Sequence, residues 1–252
     1  MVKGLDVFQK HFQDYADRYI LIGGTACDLA LKEAGLSFRA TKDLDIVLCV
    51  EAIDRPFVKV FWAFIRAGGY QIQEKASGEK QCYRFTKPVD NSFPFMLELF
   101  SRKPDTLSID AEGHLTPIPI DDEAASLSAI LLDDGYYFFI TQGKRENNGL
   151  MVIGVDRLIP LKAKAWLDLT QRKQKGEAID SKNIRKHKND VLRLYRIAET
   201  NTQVLLPDNI TRDLQTFFKA IIAEPTDLAA LSLASTTLEA VIADLKKMYG
   251  MI

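Results

Sequence analysis

Asp43 and Asp45 stand two residues apart at the start of an apolar run, with Leu44 between them. Successive side chains of a β-strand point to opposite faces, so both carboxylates are predicted on one face and Leu44 on the other. Two ionised carboxylates at such close range repel each other, and a divalent cation relieves that repulsion. Because oxygen ligands select hard cations, the expected ion is Mg²⁺ or Mn²⁺.

Gly23, Gly24 and Thr25 follow a short apolar run and precede a helical pattern. Glycines let a phosphate approach backbone N–H groups, and the N-terminus of the following helix favours negative charge. The Thr25 hydroxyl is a candidate ligand for a phosphate or a metal-bound water. A Gly-Gly turn or an Asp-x-Asp pair alone is most often structural. Their order along the chain fits one ligand, a metal-bound triphosphate.

Arg39 and Thr41 lie just before the two aspartates, and Arg39 is a candidate for a phosphate contact or, equally, for a structural ion pair.

The three histidines share no ligand spacing, which argues against a histidine metal site. The three cysteines form no C-x-x-C pair, so a disulfide framework or zinc site is not expected. Cys27 and Cys49 lie in apolar runs and are interpreted as core residues. Trp62 and Trp166 are interpreted in the same way.

Hydrophobic periodicity predicts an α+β first half that would position these residues. The predicted helices span 6–17, 25–34 and 55–67, and the predicted strands span 19–22, 44–50, 83–85, 93–100, 136–140 and 150–153. The last two strands are interpreted as a hairpin. Residues 116–120 contain two prolines and therefore cannot form a central strand.

The second half has a different character, with only helical patterns. They span 160–173, 181–199, 209–223 and 228–248. We predict a domain boundary near residue 155, between an α/β domain over 1–155 and a helical domain over 156–252. Four amphipathic helices bury their apolar faces best by packing together, so a C-terminal helical bundle is expected.

Charge is distributed unevenly along a chain whose formal net charge is only −1. Residues 157–196 carry twelve Lys and Arg against four Asp and Glu, which suits either an anionic substrate or a solvated helical face. No apolar stretch reaches the roughly 18 residues of a membrane span, and the start does not resemble a signal peptide. A cytoplasmic protein without a membrane partner is expected.

Two blocks of the sequence resemble a known family. Gly23-Gly24-Thr25-Ala26 followed by Arg39-x-Thr41-x-Asp43-Leu44-Asp45, and later Lys162-x-x-Ala165-x-Leu167-Asp168 with the basic segment 186–190, are similar to the AbiEii/AbiGii toxin-like branch of the DNA polymerase β-like nucleotidyltransferases. The resemblance covers roughly residues 19–50 and 158–195. It implies a nucleotidyltransferase-type mixed β-sheet flanked by helices, followed by a C-terminal helical bundle.

The resemblance also implies roles for later residues. Lys162 would neutralise charge on the triphosphate, and Asp190 would orient Lys162 or touch the nucleotide. The connection between them is longer than is usual in the family, and Lys164 is a rival for the lysine role. Glu98, a lone carboxylate in an apolar strand, is the candidate third metal ligand or general base. Its alternative is a solvent-facing position at a sheet edge, and the weaker candidates are Asp90, Asp105 and Asp110.

The expected activity is therefore metal-dependent transfer of a nucleoside monophosphate from an NTP to an acceptor hydroxyl. The resemblance implies a toxin of a toxin–antitoxin or phage-defence system, with the 3′ end of tRNA as a possible acceptor and an antitoxin protein as a possible partner. Two alternatives remain open. One is a catalytically silent nucleotide-binding or interaction module, and the other is a small-molecule nucleotidyltransferase.

Overall fold

The computed structural model describes residues 2–74, 80–102, 115–118 and 127–251. The chain divides into two units. The first comprises Met1–Lys32 and Ser37–Ile153, and the second comprises Glu33–Leu36 and Gly154–Ile252. All the strands belong to the first unit, and the second unit is helical. The predicted α+β class, a mixed sheet flanked by helices and followed by a helical half, is confirmed.

A mixed β-sheet organises the first unit. Its strands are β1 (Tyr19–Ile22), β2 (Asp43–Leu48), β3 (Gln71–Glu74), β4 (Lys80–Thr86), β5 (Met96–Ser101), β6 (Leu115–Ile118), β7 (Leu127–Leu131), β8 (Lys144–Asn147) and β9 (Leu150–Ile153). The main path runs β3-β4-β5-β2-β1-β9-β8, and β6 and β7 branch from β5. Among the described strands, the proline-containing β6 is paired with β7 alone, as expected of a strand that is not central.

Strand register brings three parts of the sequence together at β2. β1 is antiparallel to β2, with Ile22 opposite Asp45. β5 is parallel to β2, with Asp45 opposite Glu98. β2 therefore lies between the strand that precedes the glycines and the strand that carries Glu98.

The first unit has a large apolar core on one face of this sheet. The helices of the unit are α1 (Leu5–His11), α2 (Gly23–Glu33), α3 (Arg55–Gly68) and α4 (Asp134–Gln142). Phe8 of α1 and Phe61 of α3 pack with the inward side chains of β2 and β5, among them Leu44 and Leu97. The Asp54 side chain caps α3 by accepting from the Phe57 N–H, and Gly69 ends the helix with φ 62°.

The second unit contains four α-helices. They are α5 (Val155–Gln174), α6 (Ser181–Tyr195), α7 (Asp208–Ile222) and α8 (Leu238–Met248), with a short 3-10 helix at Ala229–Leu231. α5 packs on α6 and α7, and α8 contacts both α6 and α7. Trp166 is buried with its ring edge-on to Phe217, so its interpretation as a core residue is confirmed. Among the described helices, none has the length and apolarity to cross a membrane.

The predicted strand over 136–140 is wrong, because these residues form α4. Asp133 caps the helix by accepting from the Gly135 and Tyr136 N–H groups. The buried Tyr137 then donates its hydroxyl to Glu51 and accepts from the Val50 N–H, which ties α4 to the end of β2. The strand over 150–153 does form a hairpin, but its partner is β8 rather than residues 136–140. Asn148 and Gly149 connect the two strands, and both have positive φ, as a tight hairpin turn requires.

Two predicted helices are each interrupted. The pattern over 6–17 divides into α1 and a 3-10 helix at Gln13–Arg18. The pattern over 228–248 divides into the 3-10 helix at Ala229–Leu231 and α8, because Ser232 adopts φ 59° and Thr237 caps a new helix by accepting from the Ala240 N–H. The Thr237 hydroxyl takes up a backbone N–H in this way, which favours the start of a new helix despite the continuous apolar periodicity.

Candidate active site

The Asp43 and Asp45 side chains lie on one face of β2. Both are partly exposed, whereas the intervening Leu44 and the following Ile46 are buried in the core on the other face. This is the arrangement that strand alternation predicts. Two carboxylates on one accessible face are a suitable donor pair for a hard divalent cation.

Gly23 packs closely against the Asp45 carboxylate. It has φ 64° and begins α2 directly after β1, with no intervening loop. A Cβ at this position would lie 1.8 Å from Asp45 Oδ2 and 2.7 Å from Asp45 Cγ. Only glycine fits here, because both the backbone conformation and the space exclude a side chain. The absence of a Cβ keeps the helix N-terminus close to the carboxylate.

Gly24 and Thr25 continue the same close packing. A Cβ on Gly24 would lie 2.5 Å from Thr41 Oγ1, so Thr41 contacts the helix start rather than extending away from it. The fully buried Thr25 donates its hydroxyl to the Asp43 carbonyl oxygen at 2.9 Å. Thr25 therefore anchors α2 to β2 beside the aspartates. Phosphate contacts by Thr25 and Thr41 remain predictions.

Replacing Gly23 with alanine should destabilise the protein and displace Asp45. Positive φ alone costs an L-residue about 1–2 kcal/mol, and forcing a side chain into occupied space adds about 1–3 kcal/mol. Gly35→Ala is the matched control, because Gly35 has φ 72° and a Cβ added there would meet nothing within 4 Å. Urea unfolding should show a larger loss at position 23 than at position 35, and equal losses would contradict the steric argument.

Glu98 lies beside Asp45 on the same face of the sheet, since the two are register partners in parallel strands. It is largely buried and paired with a neighbouring strand: Arg84 Nε of β4 donates to Glu98 Oε1 at 2.6 Å, and Arg84 Nη2 contacts the same oxygen. The solvent-facing alternative for Glu98 is therefore wrong. Arg84 was not identified from the sequence, because its pairing depends on strand register.

The described residues contain no group of three or more His, Cys, Asp or Glu side chains arranged to hold a metal ion. A third-ligand role for Glu98 thus remains a prediction. In that role Glu98 would bind the metal while Arg84 occupies one of its two carboxylate oxygens. Asp90 is exposed in a loop, where the Ser92 backbone N–H holds the pKa of its carboxyl below the usual range. Asp105 and Asp110 lie outside the described residues.

Arg39 lies in the segment between α2 and β2. Its guanidinium stands 4.9 Å from the centre of the Phe38 ring, in a cation–π arrangement. Lys42 has a similar position over Phe95, also at 4.9 Å. A phosphate contact by Arg39 remains a prediction.

Lys162 and Asp190 form an ion pair within the second unit. Lys162 Nζ of α5 lies 3.3 Å from Asp190 Oδ2 of α6, and both side chains are buried. Arg193 Nη1 lies 3.3 Å from the other carboxylate oxygen. The long connection between the two residues is mostly helix, because α5 continues to Gln174 and Asp180 then caps α6. The length of this connection therefore does not prevent the pairing.

Lys164 has different surroundings from Lys162. It is more exposed and lies between Asp168 at 3.4 Å and Asp213 at 3.2 Å. Burial, the largest influence, lowers the pKa of Lys164, but the two carboxylates together raise it above the ordinary value. Lys164 therefore stays protonated and serves an interhelical ion pair with α7.

Comparisons with known proteins give distant likenesses. No protein-family model matches the sequence, and no curated protein matches it. A nucleotidyltransferase-like antigenic protein from Paracoccidioides brasiliensis is 16% identical, with 93% of each chain covered and a TM-score of 0.42. JHP933 from Helicobacter pylori is 16% identical over 97% of this chain and 87% of its own, with a TM-score of 0.43. The Megavirus polyadenylate synthase is 12% identical over 88% of this chain and 36% of its own, with a TM-score of 0.39.

Proposed function

We propose that the chain is a metal-dependent nucleotidyltransferase that transfers a nucleoside monophosphate from an NTP to a hydroxyl of an RNA acceptor. The observation that carries this proposal is the Asp43–Asp45 pair, partly exposed on one strand face with Gly23 closely packed against Asp45. The two aspartates supply anionic oxygen donors for a cation, and the adjacent N-terminus of α2 favours a phosphate.

The residues present fit a hard divalent cation, Mg²⁺ or Mn²⁺. Asp43 and Asp45 would hold it, and because Gly23 has no Cβ, the N-terminus of α2 lies against the Asp45 carboxylate. When bound, the cation supplies charge neutralisation for the triphosphate and lowers the pKa of the attacking hydroxyl. Gly23 and Gly24 would present backbone N–H groups to the phosphates.

The remaining residues have supporting roles in this proposal. Glu98 would act as a third ligand or as the base that accepts the proton of the acceptor hydroxyl. Arg39 and Thr41 would contact the triphosphate. Lys162 would neutralise the charge that develops as pyrophosphate leaves, and Asp190 would orient Lys162. The 3.3 Å contact between Lys162 and Asp190 supports the orienting role.

RNA is the proposed acceptor class because of the basic segment 157–196, with twelve cationic and four acidic residues. The resemblance to AbiEii-type toxins favours the 3′ end of tRNA, a toxin role and a cognate antitoxin partner. These finer assignments rest on sequence motifs.

The test is incubation of the full chain with each α-³²P-labelled NTP, Mg²⁺ and total tRNA. We expect label on tRNA with a preference for one base, and none when Asp43 and Asp45 are both replaced. Label on the protein or on small hydroxylated acceptors in place of RNA would overturn the acceptor class. Transfer that persists at the wild-type rate without the two aspartates would overturn the mechanism.

One observation favours a second function, a nucleotide-binding module without turnover. Glu98 is bound by Arg84, so the third carboxylate of the proposed site already has a cationic partner. Titration calorimetry distinguishes the two functions. NTP binding in the presence of Mg²⁺, combined with no labelled acceptor of any class, would favour the module.

A further inference from the structure

A pocket lies wholly within the helical unit, between α6 and the segment that follows α7. Its volume is about 520 Å³. This is within the range of about 300–1,000 Å³ that small-ligand sites occupy. The residues that line it are Arg185, Lys188, Asn189, Arg193, Pro225, Thr226, Asp227, Ala230 and Leu231.

One wall of this pocket is a cationic stripe of α6. Arg185, Asn189 and Arg193 recur at four-residue spacing and therefore lie on one helix face. Arg185 is exposed, and within the described part of the chain neither its guanidinium nor the Asn189 amide has a hydrogen bond or ion pair. Arg193 uses one N–H group on Asp190. Unused donors therefore face the pocket along this wall.

Lys188 is buried at the pocket and holds the segment 224–226 in place. It is only 2% exposed, and its ammonium contacts Glu224 Oε2 at 2.8 Å, the Pro225 carbonyl at 3.2 Å and Thr226 Oγ1 at 3.2 Å. Three acceptors satisfy the three N–H groups of an ammonium. Lys188 therefore fixes the segment 224–226 against α6, and the two arginines remain the cations available to a ligand.

The opposite wall is mostly apolar. Pro225, Ala230 and Leu231 line it, and the Asp227 carboxylate accepts from the Ala230 N–H. A ligand that fits both walls carries an anionic group for the guanidinium groups and a flat, weakly polar body for the proline and leucine. A nucleotide has both parts, since its phosphate suits arginine and its base suits an apolar surface.

We propose that this pocket binds one nucleotide unit of the RNA acceptor, with the phosphate at Arg185 and Arg193 and the base against Pro225 and Leu231. The choice of RNA rests on the proposed function. α6 supports it, because the helix carries five Lys and Arg against one Asp, and cations beyond the pocket, such as Lys182, would meet neighbouring phosphates. A free nucleotide has no such neighbouring phosphates.

The test measures binding of a short, fluorescently labelled single-stranded RNA to the full chain, without NTP or Mg²⁺. Arg185→Ala should weaken RNA binding about tenfold and make the salt dependence shallower by about 0.7 in the log–log slope. Arg212→Ala is the matched control. Arg212 is the fifth residue of α7, as Arg185 is of α6, and both helices have 15 residues. Both arginines are exposed, but Arg212 does not line the pocket. It should leave the affinity within about twofold of wild type.

A second pair of variants tests the pocket by shape alone. Ala230→Phe should fill the pocket and weaken RNA binding without any change of charge. Ala229→Phe adds the same surface on an adjacent exposed residue that does not line the pocket, and it should have little effect. Equal RNA affinity of all four variants and wild type would overturn the pocket assignment.

Competition with AMP distinguishes a nucleotide unit of RNA from a free nucleotide as the ligand of the pocket. If AMP binds as tightly as the RNA and displaces it fully, the RNA assignment is wrong and the pocket takes a free nucleotide. Because no transfer step is involved, the result is independent of the proposed reaction. Absence of transfer together with Arg185-dependent RNA binding would contradict the proposed function and leave the pocket in place.

Discussion

Replacing both Asp43 and Asp45 with asparagine should lower nucleotide transfer by at least about a thousandfold. A bound divalent cation supplies several kcal/mol of charge stabilisation in the transition state, and about 4 kcal/mol corresponds to roughly three orders of magnitude in rate. Asparagine keeps the shape of the side chain at the Gly23 contact but removes the charge that holds the cation. The measurement is transfer from α-labelled NTP under single-turnover conditions.

The same variant should keep its fold. Without metal, its melting temperature should stay close to that of wild type, because both side chains are partly exposed and asparagine keeps their shape. Mg²⁺ with NTP should raise the melting temperature of wild type only, since a ligand stabilises the state that binds it. Asp6→Asn with Asp14→Asn is the control, because both residues are exposed and the change of charge is identical. Loss of activity in this control would indicate a general charge effect.

Replacing Asp190 with alanine should destabilise the protein by about 3–5 kcal/mol. Removal of one partner of a buried ion pair leaves the other charge without compensation, and Lys162 is only 5% exposed. Arg193 loses a carboxylate partner as well. The free energy of unfolding by urea measures the effect. A loss below about 1 kcal/mol would mean that water reaches the Lys162 ammonium more easily than its burial indicates.

A double replacement separates the structural and catalytic roles of this pair. Lys162→Met with Asp190→Leu removes both charges at similar volume, and such changes are often neutral or stabilising. The double variant should therefore regain most of the stability that Asp190→Ala loses. If Lys162 neutralises charge on the triphosphate, transfer should remain low in this stable protein. Recovery of activity along with stability would limit the pair to a structural role.

The Asp43–Asp45 arrangement was predictable because it depends only on the two-residue period of a strand. Its surroundings were not, because they depend on which strands are neighbours. The ion pair between Arg84 and Glu98 needs the register of β4 on β5, and the fit of Gly23 against Asp45 needs the register of β1 on β2. A single sequence contains no local signal for either pairing.

Short apolar segments caused the clearest error. Residues 136–140 are aromatic and apolar throughout, and a run of that length does not distinguish a strand from a buried helix. The deciding residue was Asp133, which caps α4 and lies outside the apolar run. By contrast, the helical character of the segments around Lys162 and Asp190 was predictable, since their periodicity extends over several turns.

The position of β1 has a consequence for folding during synthesis. β1 lies between β2 and β9, and its Leu21 pairs with Val152, which lies about 130 residues later in the chain. At a synthesis rate of about 5–20 residues per second, the buried strand Tyr19–Ile22 waits on the order of ten seconds for its second neighbour. During that interval it exposes an apolar edge that can pair with other chains. Nascent chains shorter than about 150 residues should therefore depend on chaperones more than the finished protein does.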